Sequence, residues 1–136
     1  MVALVNAGIF EPGGIPSGLH VQNGKQLLPL NLQPGRGNLF LKPNGVFAIN
    51  TEGKARVTSS VEHLTATARP HSDRLALQSG PLLLRNGQPH HAFRAASNSK
   101  LHRNGVGVHT TTGDIVKLMT DFQSQTRVNL HTFALL

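Results

Sequence analysis

The stretch N-G-V-F-A-I-N-T-E-G-K-A-R-V, residues 44–57, decides the fold class. Residues 46–50 form a short apolar run, and residues 54–57 resume after Glu52-Gly53. Two strand-sized runs joined by a glycine-bearing turn predict an antiparallel hairpin. The same pattern recurs along the chain. Asn-Gly pairs stand at 23–24, 44–45, 86–87 and 104–105, and Thr112-Gly113 resembles Glu52-Gly53. Asn and Gly tolerate the positive φ of tight turns, so each pair is expected to turn the chain. Residues 18–22 and 25–28 bracket the first pair, and residues 82–85 precede the third. Residues 106–109 and 115–120 bracket Thr112-Gly113. Many short runs with regular turns predict a β meander.

Two helical stretches interrupt it. Ser59-Ser60-Val61-Glu62 has capping-box spacing and predicts a short helix over residues 60–67. Leu130, Phe133 and Ala134 recur at helical spacing, with Asn129 or Thr126 as the cap. That helix runs to Leu136 with no Gly or Pro stop, and the strand pattern starts at residue 2. The expectation is a single domain over residues 1–136, truncated and incomplete at both ends. Its fold class is α+β, mostly antiparallel β-sheet with a few short helices. Open sheet edges would offer a route to homo-oligomers.

Composition narrows the function. The chain has 13 Lys+Arg against 6 Asp+Glu, a net charge of +7, so it attracts anions. It has no Trp or Tyr to stack bases, which argues against nucleic acid. The absence of cysteine excludes disulfides, thiol catalysis and cysteine-bound zinc. No apolar run is long enough for a membrane helix, and the N-terminal residues lack the pattern of a signal peptide. The compartment stays open.

Three stretches have residues suited to chemistry. In Asn6-Ala7-Gly8-Ile9-Phe10, Asn6 offers a donor and an acceptor, and Gly8 allows close approach. The plainer reading is a turn with a packed Phe. In Leu77-Gln78-Ser79-Gly80-Pro81, Gln78 and Ser79 offer hydrogen bonds at the mouth of a strand. The sequence is no G-x-S-x-G elbow, and an ordinary start to the next apolar run explains it as well. The third is a basic tract holding Arg69, Arg74, Arg85, Arg94, Lys100 and Arg103 against the single acid Asp73. Ser97, Asn98 and Ser99 lie within it, and Arg with neutral donors is a phosphate-binding set. Most such residues only coat a solvated loop. Arg103 is the exception, because it directly precedes Asn104-Gly105-Val106-Gly107, where glycines expose backbone amides beside the cation.

The histidines match no zinc spacing, and His90 and His91 would point apart on a strand, so no metal is expected. The carboxylates form no evident catalytic pair.

Read in order, five segments carry a resemblance. They are N-A-G-I-F at 6–10, G-L-H-V-Q-N-G-K at 18–25, N-L-F-L-K-P-N-G-V-F at 38–47, A-L-Q-S-G-P-L-L-L-R-N-G at 76–87 and R-N-G-V-G-V at 103–108. Together they resemble the phosphodiester glycosidase family, the uncovering-enzyme-like N-acetylglucosamine-1-phosphodiester α-N-acetylglucosaminidases, and most closely its uncharacterised bacterial branch. The resemblance implies hydrolysis of a sugar–phosphodiester bond, with a sugar phosphodiester or other small anion as ligand and no cofactor. It implies that Asn6 and Gly8, then Ser79 and Gly80, line a pocket in which Arg103 holds the phosphodiester anion. Gln78 and Asn104 match the bacterial branch. Bacterial relatives are often exported. The family continues beyond the last helix into an Asp-Gly-Gly-Gly-Ser-like loop, which this sequence lacks. The catalytic residues therefore stay unassigned, and a binding module or inactive remnant is the alternative.

Overall fold

The computed structural model describes residues 8–66, 73–121, 123 and 126–136. Its first strands are β1 (His20–Gln22) and β2 (Lys25–Leu28), followed by a single 3-10 turn at Asn38–Phe40. Next come β3 (Gly45–Asn50), β4 (Ala55–Ser59), helix α1 (Ser60–Ala66) and β5 (Asp73–Ser79). The remainder holds the short strands β6 (Leu84–Arg85) and β7 (Gln88–Pro89), the hairpin β8 (Asn104–Val108) and β9 (Ile115–Met119), and helix α2 (Leu130–Ala134). The fold is α+β, with all strand pairs antiparallel.

One five-stranded sheet, ordered β2-β1-β5-β3-β4, forms the body. The hairpin expected from residues 44–57 is there, with Phe47 opposite Val57 and Ala48 opposite Arg56. β5 lies on the other side of β3, placing Ala48 against Ala76 and Val46 against Gln78. Alternation then sorts the faces. Val46, Ala48 and Ala76 are buried with Leu19, and Val21 and Leu30 pack on them. The core is small, so polar ties share the work. Asp73 is buried and accepts both arms of the Arg56 guanidinium, at 2.7 and 2.6 Å. The 59–62 capping box is complete: Glu62 accepts from Ser59 N at 2.8 Å, and Ser59 Oγ accepts from Glu62 N at 3.2 Å. α1 ends at Ala66, and residue 67 lies outside the described residues, as does the strand expected from residue 2.

Two Asn-Gly pairs turn the chain as expected. Asn23-Gly24 and Asn86-Gly87 both have positive φ and join β1 to β2 and β6 to β7. The other two do not. Asn44 is buried, and Gly45 opens β3 opposite Ser59 and Ser79. Asn104 and Gly105 lie inside β8, opposite Met119 and Leu118. Packing explains the difference. Asn44 Nδ2 donates to the Leu39 carbonyl at 2.6 Å, its Oδ1 accepts from Ser60 Oγ, and its carbonyl accepts from Ser60 N at 3.0 Å. Asn44 thus ties the 3-10 turn to α1. A Cβ on Gly105 would sit 3.2 Å from both Leu83 and Phe133 side chains. That glycine serves a close approach and not a turn.

β8 and β9 stand apart from the main sheet as a two-stranded ribbon. Val106, Ile115, Val116, Leu118 and Met119 are all exposed on it. Among the described residues no helix is long and apolar enough to cross a membrane.

Candidate functional site

Arg103 immediately precedes β8 and is only 9% exposed. Its backbone is fixed by Thr120: Arg103 N donates to Thr120 Oγ1 at 2.9 Å, and its carbonyl accepts from Thr120 N at 2.9 Å. Its side chain is fixed by two carbonyls. Nε donates to Val128 O at 3.3 Å and Nη2 to Ser99 O at 3.0 Å. Among the described residues no carboxylate pairs with it. Burial lowers its pKa from the usual arginine value, yet a guanidinium stays charged in proteins. Among the described residues it is a buried cation held by dipoles, without a counter-ion.

That cation lines a cavity of about 140 Å³. Arg94, Ser97 and Ser99 share the wall with it, and Leu41, Ala92 and Phe93 add apolar surface. α2 contributes Leu130 and His131. Asn129 sets that helix against the loop. Its Oδ1 caps α2 by accepting from Thr132 N at 2.8 Å, while Nδ2 donates to the Ala95 and Ser97 carbonyls at 2.9 and 3.1 Å. The loop is braced from within as well, since Ser97 N donates to the Arg94 carbonyl at 3.1 Å. Two arginines, two serines and a histidine among the lining residues are a set suited to an anion with several oxygens.

The other expected residues gather elsewhere. Asn6 lies outside the described residues. Gly8 approaches β5, where a Cβ would stand 3.6 Å from the Gln78 carbonyl. Gln78 is buried, and both its amide oxygen and its amide nitrogen are engaged. Oε1 accepts from Leu19 N at 3.0 Å and Asn31 N at 2.8 Å, and Nε2 donates to Asn31 O at 2.7 Å. A Cβ on Gly18 would lie 2.4 Å from that Oε1. Ser79 is exposed at the end of β5, and Gly80 presses on the 3-10 turn, with room for a Cβ closed at 2.6 Å by Asn38 O. Asn104 is exposed at the start of β8. The structure therefore brings Arg103 together with Arg94, Ser97 and Ser99 of the basic tract. It sets Gly8, Gln78, Ser79 and Gly80 in a second cluster. Residues 38–41 separate the two, because Gly80 packs on Leu39 while Leu41 lines the cavity.

Sequence reasoning passed over His131, Phe93 and Leu41. Long-range folding carries Leu41 and His131 to the cavity, so no local spacing marks them, whereas Phe93 arrives there as the neighbour of Arg94. His90 and His91 are not on a strand; they follow β7 and their rings stack at 4.4 Å. No three His, Asp or Glu side chains converge for a metal among the described residues.

A mostly antiparallel β scaffold with an arginine-lined cavity is what fold and site define. The chain belongs to the phosphodiester glycosidase family, whose model matches residues 1–136. It is 35% identical over 130 residues to Uncharacterized protein YigE of Escherichia coli (strain K12), covering 96% of this chain and 47% of that protein. The chain thus spans about half the length of the curated relative it matches. No solved structure matches it.

Proposed function

We propose that this chain holds the phosphate of a sugar phosphodiester for hydrolysis at the anomeric carbon, with Arg103 as the principal anion contact. The observation that carries this reading is the buried Arg103 guanidinium, without a carboxylate partner among the described residues and open to a cavity shared with Arg94, Ser97 and Ser99. A buried cation without a counter-ion is costly, and an anionic ligand relieves that cost. A sugar leaving a phosphate departs from a stable anion, so the usual demand for a strong general acid falls. Charge growing on the leaving oxygen is met by fixed N–H donors that need no reorganisation. The family resemblance gives the sugar to Asn6, Gly8, Ser79 and Gly80; residues 38–41 stand between Gly80 and the cavity, so that assignment rests on the resemblance and not on this geometry. Gln78 supports that cluster through its bonds to Leu19 and Asn31. Asn104 extends the anion side.

A second reading has its own support. Among the described residues, the cavity wall carries no carboxylate, whereas glycoside hydrolysis ordinarily uses two. A module that binds sugar phosphates without turning them over fits that wall. Incubation with a UDP-sugar or a synthetic sugar phosphodiester separates the readings. Release of free sugar supports hydrolysis. Saturable binding without release supports the module, and no binding overturns both.

A further inference from the structure

His90 takes no part in the reading above. It closes the turn that follows β7, with its N–H donating to the Leu83 carbonyl at 3.0 Å and its carbonyl accepting from Phe93 N at 2.9 Å. The residue is 6% exposed, and its ring stacks on His91 at 4.4 Å and on Phe93 at 5.1 Å. Nδ1 accepts the Ala92 backbone N–H at 3.1 Å. A ring nitrogen that accepts carries no proton, so the neutral ring keeps its proton on Nε2. Among the described residues the buried Nε2 makes no hydrogen bond of ordinary geometry, although the Lys42 backbone lies near enough to favour a charged ring slightly. The three residues that follow His91, namely Ala92, Phe93 and Arg94, all line the anion cavity.

We infer that His90 is a positioning residue for the cavity: only its neutral ring can accept the Ala92 N–H, so protonation releases the turn that presents Phe93 and Arg94. In imidazolium both nitrogens donate. Nδ1–H would then oppose Ala92 N–H, and the charge would sit in a buried stack. The surroundings favour the neutral form. Burial first, and the neighbouring His91 second, lower the His90 pKa below the usual histidine value, against a smaller opposing pull from the Lys42 backbone. The Lys42 ammonium itself is turned to the Leu32 carbonyl. Neither His90 nor His91 forms an ion pair among the described residues. The sign follows from the lowered value. The arrangement is complete above the ordinary histidine pKa and is lost as pH falls through the lowered folded one. The consequence for ligand rests on the anion-cavity reading; the consequence for the turn does not.

Two measurements keep these apart. Exchange of the Ala92 amide and titration of the His90 ring are followed by NMR on the whole chain, from about pH 8 to about pH 5. Sulfate, a dianion throughout, is the binding probe, measured by calorimetry at constant ionic strength. Wild-type protein should lose Ala92 protection as His90 titrates, and sulfate affinity should fall about tenfold or more, the worth of one charged hydrogen bond. His90→Asn, whose Oδ1 can accept the same N–H without titrating, should hold its affinity across the range. His131→Gln removes the histidine that α2 places on the cavity, and the fall should persist. An Ala92 amide that stays protected through the His90 titration overturns the inference, as does a His90→Asn protein with wild-type pH dependence. If sulfate binds at no pH, the anion-cavity reading fails, and the Ala92 amide still decides the role of His90.

Discussion

Replacing Arg103 tests the anion cavity most directly. A guanidinium about 4 Å from a phosphate oxygen, at an effective dielectric of about 20, attracts it by about 4 kcal/mol. Desolvation of the anion takes back part of that, and a charged hydrogen bond nets about 1.5–3 kcal/mol. Arg103 is already anchored by the Val128 and Ser99 carbonyls, so little side-chain freedom is lost on binding. Arg103→Ala should therefore weaken sulfate or UDP-sugar binding by about 1.5–3 kcal/mol, roughly ten- to a hundred-and-fiftyfold. The same change strips donors from those two carbonyls, so folding must be measured beside binding. Arg103→Lys supplies the control: it keeps the charge, loses the planar fork and should bind at an intermediate level. Arg85→Ala, which removes an exposed partner of Glu62, should leave binding unchanged. Isothermal calorimetry at fixed salt, with thermal melts on each variant, reads all of this. A folded Arg103→Ala protein that binds within about threefold of wild type would refute the reasoning.

Three further outcomes concern stability. Gly18→Ala drives a methyl into the Gln78 amide, where a Cβ would lie 2.4 Å from Oε1. It should cost about 1–3 kcal/mol in a urea melt, with the Leu19 and Asn31 amides exchanging faster. Asp73→Ala strands the Arg56 guanidinium, which keeps 37% of its side-chain surface. That exposure softens the loss to about 2–3 kcal/mol, below the range for a fully buried pair. The Glu62 pKa lies below the ordinary carboxylate value, chiefly through its bond to the Ser59 backbone, then the Ser59 hydroxyl and Arg85. Its support of α1 should be complete above the ordinary carboxylate pKa and fade as pH falls through the lowered one. Ser59→Ala should cost about 1 kcal/mol yet keep most of that acid limb of the melting curve, because the backbone N–H at 59 remains, whereas Glu62→Gln should flatten it.

Local chemistry was legible wherever a single turn or cap determines the backbone. Asn23-Gly24 and Asn86-Gly87 take positive φ and join neighbouring strands, and the one distant bond recorded there, Gly24 N to the Arg74 carbonyl at 3.0 Å, is compatible with the turn. The 59–62 capping box closes on itself within one helical turn. Asn44-Gly45 and Asn104-Gly105 look the same in sequence but fold differently. Distant partners recruit them: Leu39 and Ser60 take up Asn44, and Leu83 with Phe133 press on Gly105. The cavity was half legible. Arg94, Ser97, Ser99 and Arg103 are close enough in sequence to suggest a phosphate set. His131 reaches the same wall only because Asn129 ties α2 to residues 95 and 97. Gln78 shows the opposite case, a polar side chain beside a strand mouth whose hydrogen-bonding groups are all engaged by the fold.

The contact between Gly18 and Gln78 reaches beyond this one sequence. The amide of Gln78 occupies the space that any side chain at position 18 would need. A shorter residue at 78 would vacate it and orphan the Leu19 and Asn31 amides together. Drift at either position is therefore conditional on the other. Among related sequences, position 18 should stay glycine wherever a long amide stands at 78. Where that amide is lost, a side chain at 18 and a new acceptor for residue 31 should arrive as a set.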